Sequence, residues 1–254
     1  MSRFRELHHA DRLLVLPNVW DVVTARVVES AGAPAIATSS AALAWVHGAR
    51  DGEKLAVPLL LQTVGAIARA IRVPLTVDLE AGYQEDLGGL IAALLGVGVA
   101  GINLEDQLGD PAVLARKIET AKARAAGAGQ ELFVNARADT YLRGPGGVEE
   151  TLRRGRIYQA AGADGLFVPK LVVPDEIQAV ATGCALPLNV LLYANLPGAD
   201  ELYRLGARRL STGTRMAEAA LGLVRRSARE LLATGRCPAL FVDQLPFAEA
   251  DALL

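Results

Sequence analysis

Thiols, imidazoles and aromatic rings are scarce in this sequence, and each scarcity excludes something. Only Cys184 and Cys237 are present among 254 residues. Two thiols make no disulfide framework and suit a reducing compartment, so a cytoplasmic protein is expected. His8, His9 and His47 are too few and too scattered for a zinc site, and neither cysteine lies near a histidine. Aromatic residues make up 5% of a chain that is 52% hydrophobic, so a large core must be built from Ala, Val, Leu and Ile. An excess of one charge is also missing: 26 basic against 28 acidic residues leave a net charge of -2. That balance argues against nucleic acid or an anionic membrane as partner. The segment Met1–Asp11 is polar and charged, unlike a signal peptide. Leu87–Leu104 carries no charge over a membrane-spanning length, but its five glycines and Asn103 read as a buried helix, a turn and a buried strand. There is no P-loop, no G-x-G-x-x-G after a strand and no G-x-S-x-G elbow.

What is present is a regular alternation. Eight apolar runs read as strands: Leu13–Leu16, Ala35–Thr38, Leu75–Asp78, Gly101–Leu104, Leu132–Arg137, Gly165–Val168, Leu188–Leu191 and Arg209–Thr212. They are continuously apolar, as parallel strands covered by helices must be. Amphipathic stretches lie between them, at Val22–Ser30, Leu60–Ile71, Leu87–Leu95, Pro111–Ala126, Val148–Ala161, Pro174–Ala181 and Ala199–Leu205, with a last helix at Met216–Thr234. Glycine recurs at the joints, as in Ala31-Gly32-Ala33 and Leu205-Gly206-Ala207, where a helix ends in a left-handed residue. Eight units without a linker or a composition shift predict one α/β domain, a (β/α)8 TIM barrel over 1–254. Residues 235–254 form a Pro-containing C-terminal extension, expected to pack on the barrel or on a neighbouring subunit.

A barrel's chemistry sits where its strands end. After the second strand, Ser39, Ser40 and Ala41 offer hydroxyls and backbone N–H groups that either cradle an anion or cap the next helix. Asp51 follows in the same connection. After the third strand come Asp78 and Glu80, two carboxylates that are expensive to desolvate unless a hard cation such as Mg²⁺ relieves the cost or they cap a helix. The fourth strand ends in Glu105 and Asp106, beside the third in any barrel. The fifth ends in Asn135-Ala136-Arg137 and places a cation among the acids, either to clamp a substrate carboxylate or to make a structural ion pair. Lys170 follows the sixth strand, Asn189 leads the seventh, and Ser211-Thr212-Gly213-Thr214 follows the eighth.

These residues in this order resemble the isocitrate lyase / phosphoenolpyruvate mutase superfamily, from Pro17-Asn18-Val19-Trp20-Asp21 to about Thr234. The match is strongest at Asp78-Leu79-Glu80-Ala81-Gly82-Tyr83, Gly101-Ile102-Asn103-Leu104-Glu105-Asp106 and Asn135-Ala136-Arg137. The resemblance implies Mg²⁺, replaceable by Mn²⁺, held by Asp78, Glu80 and Glu105. It implies a substrate anion at Ser39, Ser40 and Ala41, with Trp20 and Asp78 also at the pocket; Asn189 and Lys170 are expected in the substrate site from their places at strand ends, Lys170 to meet a distal carboxylate. Asp51, Glu105 and Arg137 are the implied catalytic residues. A homo-oligomer, tetramer or dimer, is implied as well.

Three departures shape the functional expectation. Glu80 stands where the family usually has aspartate. The stretch from Glu105 to Pro111 is too short for the family's long gating loop, and Asp106-Gln107-Leu108-Gly109-Asp110 lacks the lyase Cys-Gly-His. Pro169-Lys170 occupies a region where relatives place an acid or a histidine. The expectation is a Mg²⁺-dependent lyase acting through an enolate on a small 2-oxo acid, a dicarboxylate such as oxaloacetate or 2-oxoglutarate, by C–C cleavage or decarboxylation. Isocitrate and methylisocitrate cleavage are not expected, because no loop cysteine supplies the acid. The alternatives are a non-catalytic 2-oxo acid binder, a phosphoenolpyruvate- or phosphonopyruvate-type hydrolase or mutase, and a Schiff-base aldolase using Lys170.

Overall fold

Pro17 has no N–H to give to a ladder, and it splits the first strand into two pieces. The pieces are β1 (Leu14–Leu16) and β2 (Asn18–Val19). The rest of the sheet is β3 (Ile36–Thr38), β4 (Leu75–Asp78), β5 (Gly101–Glu105), β6 (Phe133–Arg137), β7 (Gly165–Val168), β8 (Leu188–Leu191) and β9 (Ala207–Ser211). The computed structural model describes residues 2–83 and 86–254. All pairings are parallel, in the order β1-β9-β8-β7-β6-β5-β4-β3-β2. Because β1 pairs with β9 while β2 pairs with β3, the two halves of one stave close the cylinder. The result is the expected (β/α)8 barrel, with nine segments where eight runs were legible.

Asn18 stitches that closure. Its Oδ1 accepts from the N–H groups of Thr212 and Gly213, each at 2.8 Å, and its Nδ2 donates to the Thr38 carbonyl at 2.7 Å. The backbone N–H of Asn18 donates to Thr212 Oγ1. One buried side chain thus joins β2, β3 and the end of β9.

Outside the sheet lie α1 (Arg3–Leu7), α2 (Val22–Ser30), α3 (Ser40–Val46), α4 (Val57–Ala70), α5 (Leu87–Gly96), α6 (Pro111–Gly127), α7 (Thr140–Arg143), α8 (Val148–Ala160), α9 (Pro174–Gly183), α10 (Ala199–Arg204), α11 (Arg215–Thr234) and α12 (Phe247–Ala252). Among the described residues no helix is long and apolar enough to cross a membrane. The larger core, including Val77, Ile102, Val134, Leu166 and Val190, fills the layer between strands and helices. Side chains alternate along a strand, so Thr76, Asn103, Asn135 and Arg209 face the barrel interior. That interior is polar at mid-height, where barrels usually carry bulky branched residues.

The short helices α1 and α7 have no counterpart in the sequence reading, and α3 only the cap that Ser39 or Ser40 offered it. The first turns the polar Met1–Asp11 segment, of which Met1 lies outside the described residues, into the floor of the barrel. Phe4 and His8 are buried there, edge-on to each other, and His8 stacks on Phe133 with ring centroids 4.0 Å apart. A Cβ on Gly101 would come within 2.6 Å of the Phe4 ring, so only glycine admits this plug. The extension after α11 holds a 3-10 turn at Pro238–Phe241 and then α12; the Leu253 carbonyl accepts from Arg26 Nε of α2 at 2.6 Å.

Burial, and secondarily the charge of Arg209, push the His8 imidazole down to about 3. A base whose folded pKa lies below its unfolded value stabilises the fold fully above about 6.5 and loses that contribution as pH falls toward 3. Acidification from pH 7 to pH 5 is expected to cost about 1–2 kcal/mol through His8 alone, a few degrees in Tm. In His8→Gln the slope of Tm against pH over this range should flatten; an unchanged slope would show that His8 is not held neutral.

Candidate active site

The β4–β5 ladder runs past the end of β4 and sets the first acids in place. Leu79 N–H donates to the Asn103 carbonyl at 3.1 Å, and Glu105 N–H to the Glu80 carbonyl at 2.8 Å. Glu80 then takes a left-handed backbone, φ 51°, and the chain turns sharply, with Gly82 N–H closing on the Leu79 carbonyl. This turn sends the Glu80 side chain inward, where it is 4% exposed. Non-glycine residues reach that backbone region only at a cost, and such strain gathers at functional sites.

Four acids meet at this mouth. Asp78 Oδ2 accepts from Ser40 Oγ at 2.9 Å, and its backbone N–H donates to Thr38 Oγ1 at 3.0 Å. Glu80 Oε2 accepts from the Glu53 N–H at 2.6 Å, while Oε1 is buried with no hydrogen-bond partner. Glu105 is buried and pairs through Oε2 with Arg137 Nη1 at 2.6 Å. Burial, then the charges of Asp51 and Asp78, raise the Glu80 carboxyl to about 7. Burial also raises Glu105 to about 7, with Asp78 and Asp139 adding to the rise and Arg137 opposing it. Asp51 is raised by burial and by Asp78, which places it electrically in the cluster although its loop is open to solvent.

Arg137 is held on both sides. Its Nε donates to Asp139 Oδ1 at 2.6 Å, Nη1 reaches Glu105, and the guanidinium lies 5.8 Å from the centre of the Phe167 ring. A structural ion pair is therefore present at this position, and any carboxylate clamp must use hydrogens that Glu105 and Asp139 leave over. Asp139, fully buried, also accepts from Arg143 Nε at 2.9 Å. Arg143 is half-exposed and comes within 3.8 Å of Glu105.

Asp106, next to Glu105, has a different task. It accepts from Arg154 Nη1 at 2.8 Å, from Tyr158 OH at 2.5 Å, and from the N–H groups of Leu108 and Asp139. Four donors saturate a buried carboxylate, so Asp106 anchors α8 to the β5 and β6 ends.

Other expected residues are placed elsewhere. The Ser39 N–H donates to the Val19 carbonyl at 3.0 Å and its Oγ caps α3, so Ser39 gives no N–H to an anion cradle. Ser40 and Ala41 remain as first-turn positions. Trp20 lines an apolar cavity of about 260 Å³ with Trp45 and Val46 of α3 and Leu221 and Val224 of α11; no acid lines it. Asp21, in the same motif, is the capping-box N-cap of α2. Lys170 is exposed at a left-handed position, φ 63°, away from the burial that activates a Schiff-base lysine. Asn189 is buried inside the barrel, where its Oδ1 accepts from Ser211 Oγ at 3.2 Å.

Glu53, Asp139 and Arg143 were not singled out in the sequence. Glu53 clasps the mouth twice: its N–H holds Glu80, and its Oε1 accepts from the Tyr83 N–H at 2.6 Å. Glu53 and Tyr83 are left-handed too, φ 60° and 50°. No sequence signal marks a non-glycine residue for that conformation. The i,i+4 spacing of Asp139 and Arg143 was readable as a helical pair.

The donor set fits a hard divalent cation. Among the described residues no three Asp, Glu, His or Cys side chains stand close enough to hold a metal unaided. However, mutually repelling carboxylates and the unpartnered Glu80 Oε1 call for a positive charge, and Mg²⁺ takes one or two carboxylates and keeps its waters.

A (β/α)8 barrel that gathers acids from β4 and β5 around an arginine from β6 defines the phosphoenolpyruvate mutase/isocitrate lyase class of lyases and mutases. The phosphoenolpyruvate phosphomutase family model matches residues 4–232, and the chain belongs to that family. It is 35% identical to an uncharacterised protein of Mycobacterium tuberculosis over 256 residues, covering 99% of this chain and 95% of that protein. It is 30% identical to an oxaloacetate decarboxylase of Ectopseudomonas mendocina over 84% of this chain and 77% of the relative. The crystal structure of phosphoenolpyruvate phosphomutase from Streptomyces platensis subsp. rosaceus superposes with a TM-score of 0.87 over 99% of this chain and 93% of that one; at 24% identity this likeness speaks for the fold.

Two substitutions separate the acids by role. A carboxyl raised above its unfolded value weakens the fold as pH rises from about 4.5 through 7. In EDTA at pH 8, Glu80→Gln should therefore be more stable than wild type, by about 1 kcal/mol, and saturating MgCl2 should reverse the order by stabilising wild type alone. Denaturant titrations with and without Mg²⁺ check this; equal Mg²⁺ stabilisation of both proteins would remove Glu80 from the metal site. Asp106→Ala leaves the buried Tyr158 hydroxyl and the N–H groups of Leu108 and Asp139 without their acceptor, while Arg154 keeps Glu150 and the Gly109 carbonyl, and should cost about 3 kcal/mol whether or not Mg²⁺ is present.

Proposed function

We propose that this chain is a Mg²⁺-dependent enzyme that acts on a small 2-oxo dicarboxylate of the oxaloacetate type, breaking a C–C bond by decarboxylation through an enolate. The observation that carries the reading is the pair of raised carboxyls, Glu80 and Glu105, at the barrel mouth, with Arg137 paired to Glu105. The family relationship to an oxaloacetate decarboxylase supports it.

Asp78, Glu80 and Glu105 would hold the metal, which when bound supplies Lewis-acid stabilisation of negative charge on a 2-oxo acid's oxygens. The remaining chemistry belongs to the chain. Arg137, fixed by Glu105 and Asp139, orients a substrate carboxylate with the N–H groups it does not spend on them. Ser40 holds Asp78, and Glu53 holds Glu80, so both carboxylates keep one orientation. In the decarboxylation the bond between C3 and the distal carboxyl carbon breaks, CO2 leaves, and the electron pair enters the enolate of pyruvate. Protonation at C3 completes the product.

Lyase chemistry on isocitrate-type substrates lacks its acid. Cys184 and Cys237 are both buried, at the C-cap of α9 and in the C-terminal extension, and Asp106 is saturated by structural donors. The exposure of Lys170 disfavours the aldolase alternative. Self-association is part of the same proposal: Leu221, Val224 and Leu232 of α11 are exposed apolar residues.

The test is pyruvate release from oxaloacetate, corrected for the reaction catalysed by free Mg²⁺. Wild type should be active with Mg²⁺ and inactive in EDTA. Arg137→Met should lose about 10–100-fold in kcat/KM, and Arg137→Lys should recover only part of that, because lysine lacks the planar fork. Saturable binding of 2-oxo acids by NMR with no turnover of any of them would replace this reading with that of a binder.

A further inference from the structure

Arg143 is the last residue of α7, and two contacts fix where it stands. Its Nε donates to the fully buried Asp139 at 2.9 Å. Gly144 behind it packs into the β5–α6 turn, where a Cβ would meet the Thr140 carbonyl at 2.8 Å and Leu108 Cδ2 at 3.0 Å. The far end of the guanidinium is turned to the acidic mouth. Nη2 lies 3.8 Å from Glu105 Oε1, and the positive charge acts on Asp51 in the β3–α4 connection.

That end is uncommitted. At 3.8 Å Nη2 is beyond hydrogen-bond distance of Glu105, whose Oε1 already accepts from Gln107 Nε2 at 3.3 Å and whose Oε2 pairs with Arg137. Among the described residues neither Nη atom of Arg143 makes a hydrogen bond, and the side chain is 50% exposed. Arg137 is the opposite case: Nε and Nη2 donate to the two oxygens of Asp139 at 2.6 and 3.3 Å, Nη1 is on Glu105, and only 16% is exposed. A substrate with two carboxylates brings two negative charges to a mouth already lined with acids. The 2-oxo carboxylate goes to the metal site and to what Arg137 has left. The second carboxylate needs another cation with N–H groups to spare.

We infer that Arg143 is the specificity-determining residue of this mouth: its Nη atoms bind the distal carboxylate of a 2-oxo dicarboxylate while Asp139 holds its Nε. The inference rests on the oxaloacetate-type reading above and names the residue that selects for the second charge. It also predicts where the energy is used. As the bond to the distal carboxyl carbon breaks, the electron pair enters the enolate and CO2 leaves uncharged, so the partner of Arg143 fades along the reaction. Arg143 therefore contributes to binding and selection, not to the chemical step.

The test titrates the full chain, in saturating MgCl2, with malate and with 2-hydroxybutyrate. These acids differ in a distal carboxylate against a methyl group, and neither loses CO2. By calorimetry wild type should prefer malate about tenfold, and Arg143→Gln should lose most of that preference while its affinity for 2-hydroxybutyrate stays within about twofold. Arg143→Lys, which keeps the charge, should restore part of the preference. With oxaloacetate, Arg143→Gln should raise KM by about tenfold without lowering kcat. An equal loss for both acids, a preference unchanged in Arg143→Gln, or a wild type that binds neither acid would overturn the inference. So would a lower kcat at unchanged KM, which is the mark of a side chain acting only through Asp139 and Arg137. An Arg143-dependent preference for malate in a protein that releases no pyruvate would leave the subsite standing and overturn only the decarboxylase reading.

Discussion

Negative charge gathered at one end of a barrel is the constraint on which the rest of this structure depends. Asp78, Glu80 and Glu105 gather at the ends of β4 and β5, Asp51 acts on them from a solvent-open loop, and burial of Glu80 and Glu105 keeps water from screening those two. Nearby charges of one sign are tolerated only if something holds them. Here the holders are specific: Ser40 on Asp78, the Glu53 N–H on Glu80, and Arg137 on Glu105. Arg137 is in turn fixed by Asp139, and Asp139 by Arg143. The chain of partners leads outward from the mouth, so the site is preorganised before any substrate enters.

The same layer separates structural from chemical acids. Asp106 and Glu105 are adjacent in the sequence and both buried, yet Asp106 receives four hydrogen bonds while Glu105 shares its oxygens with two arginines and a glutamine. A saturated carboxylate is an anchor. A carboxyl raised to about 7, with partners it can exchange, is a candidate for chemistry. Deeper in the barrel, Arg209 stays cationic in a polar layer and burial holds His8 neutral on the floor.

Much of this was legible because parallel strands leave little choice. A run buried on both faces must be apolar, so the first carboxylate at its end stands out, as Asp78, Glu105 and Arg137 do. Adjacent strands in a barrel place their ends side by side, which is why acids 27 positions apart (Asp78 and Glu105) meet. Local propensity was equally readable at helix ends: Ser39 does cap α3. The alternative, an anion cradle, loses the Ser39 N–H to the Val19 carbonyl, a pairing set by barrel closure and not by neighbouring residues.

The sequence by itself determined the fold, the catalytic end and the family. Periodicity, apolar strand runs and acids at strand ends are local features that survive without coordinates. Tertiary structure alone decided which polar groups are partnered. It made Glu53 a clasp, Asp106 an anchor and Lys170 a surface residue. It moved Trp20 to an apolar cavity, and it buried Arg209 and His8 inside the barrel. The reason is physical: the state of a charge depends on its desolvation and on the donors within about 3 Å, and both come from segments remote in the chain.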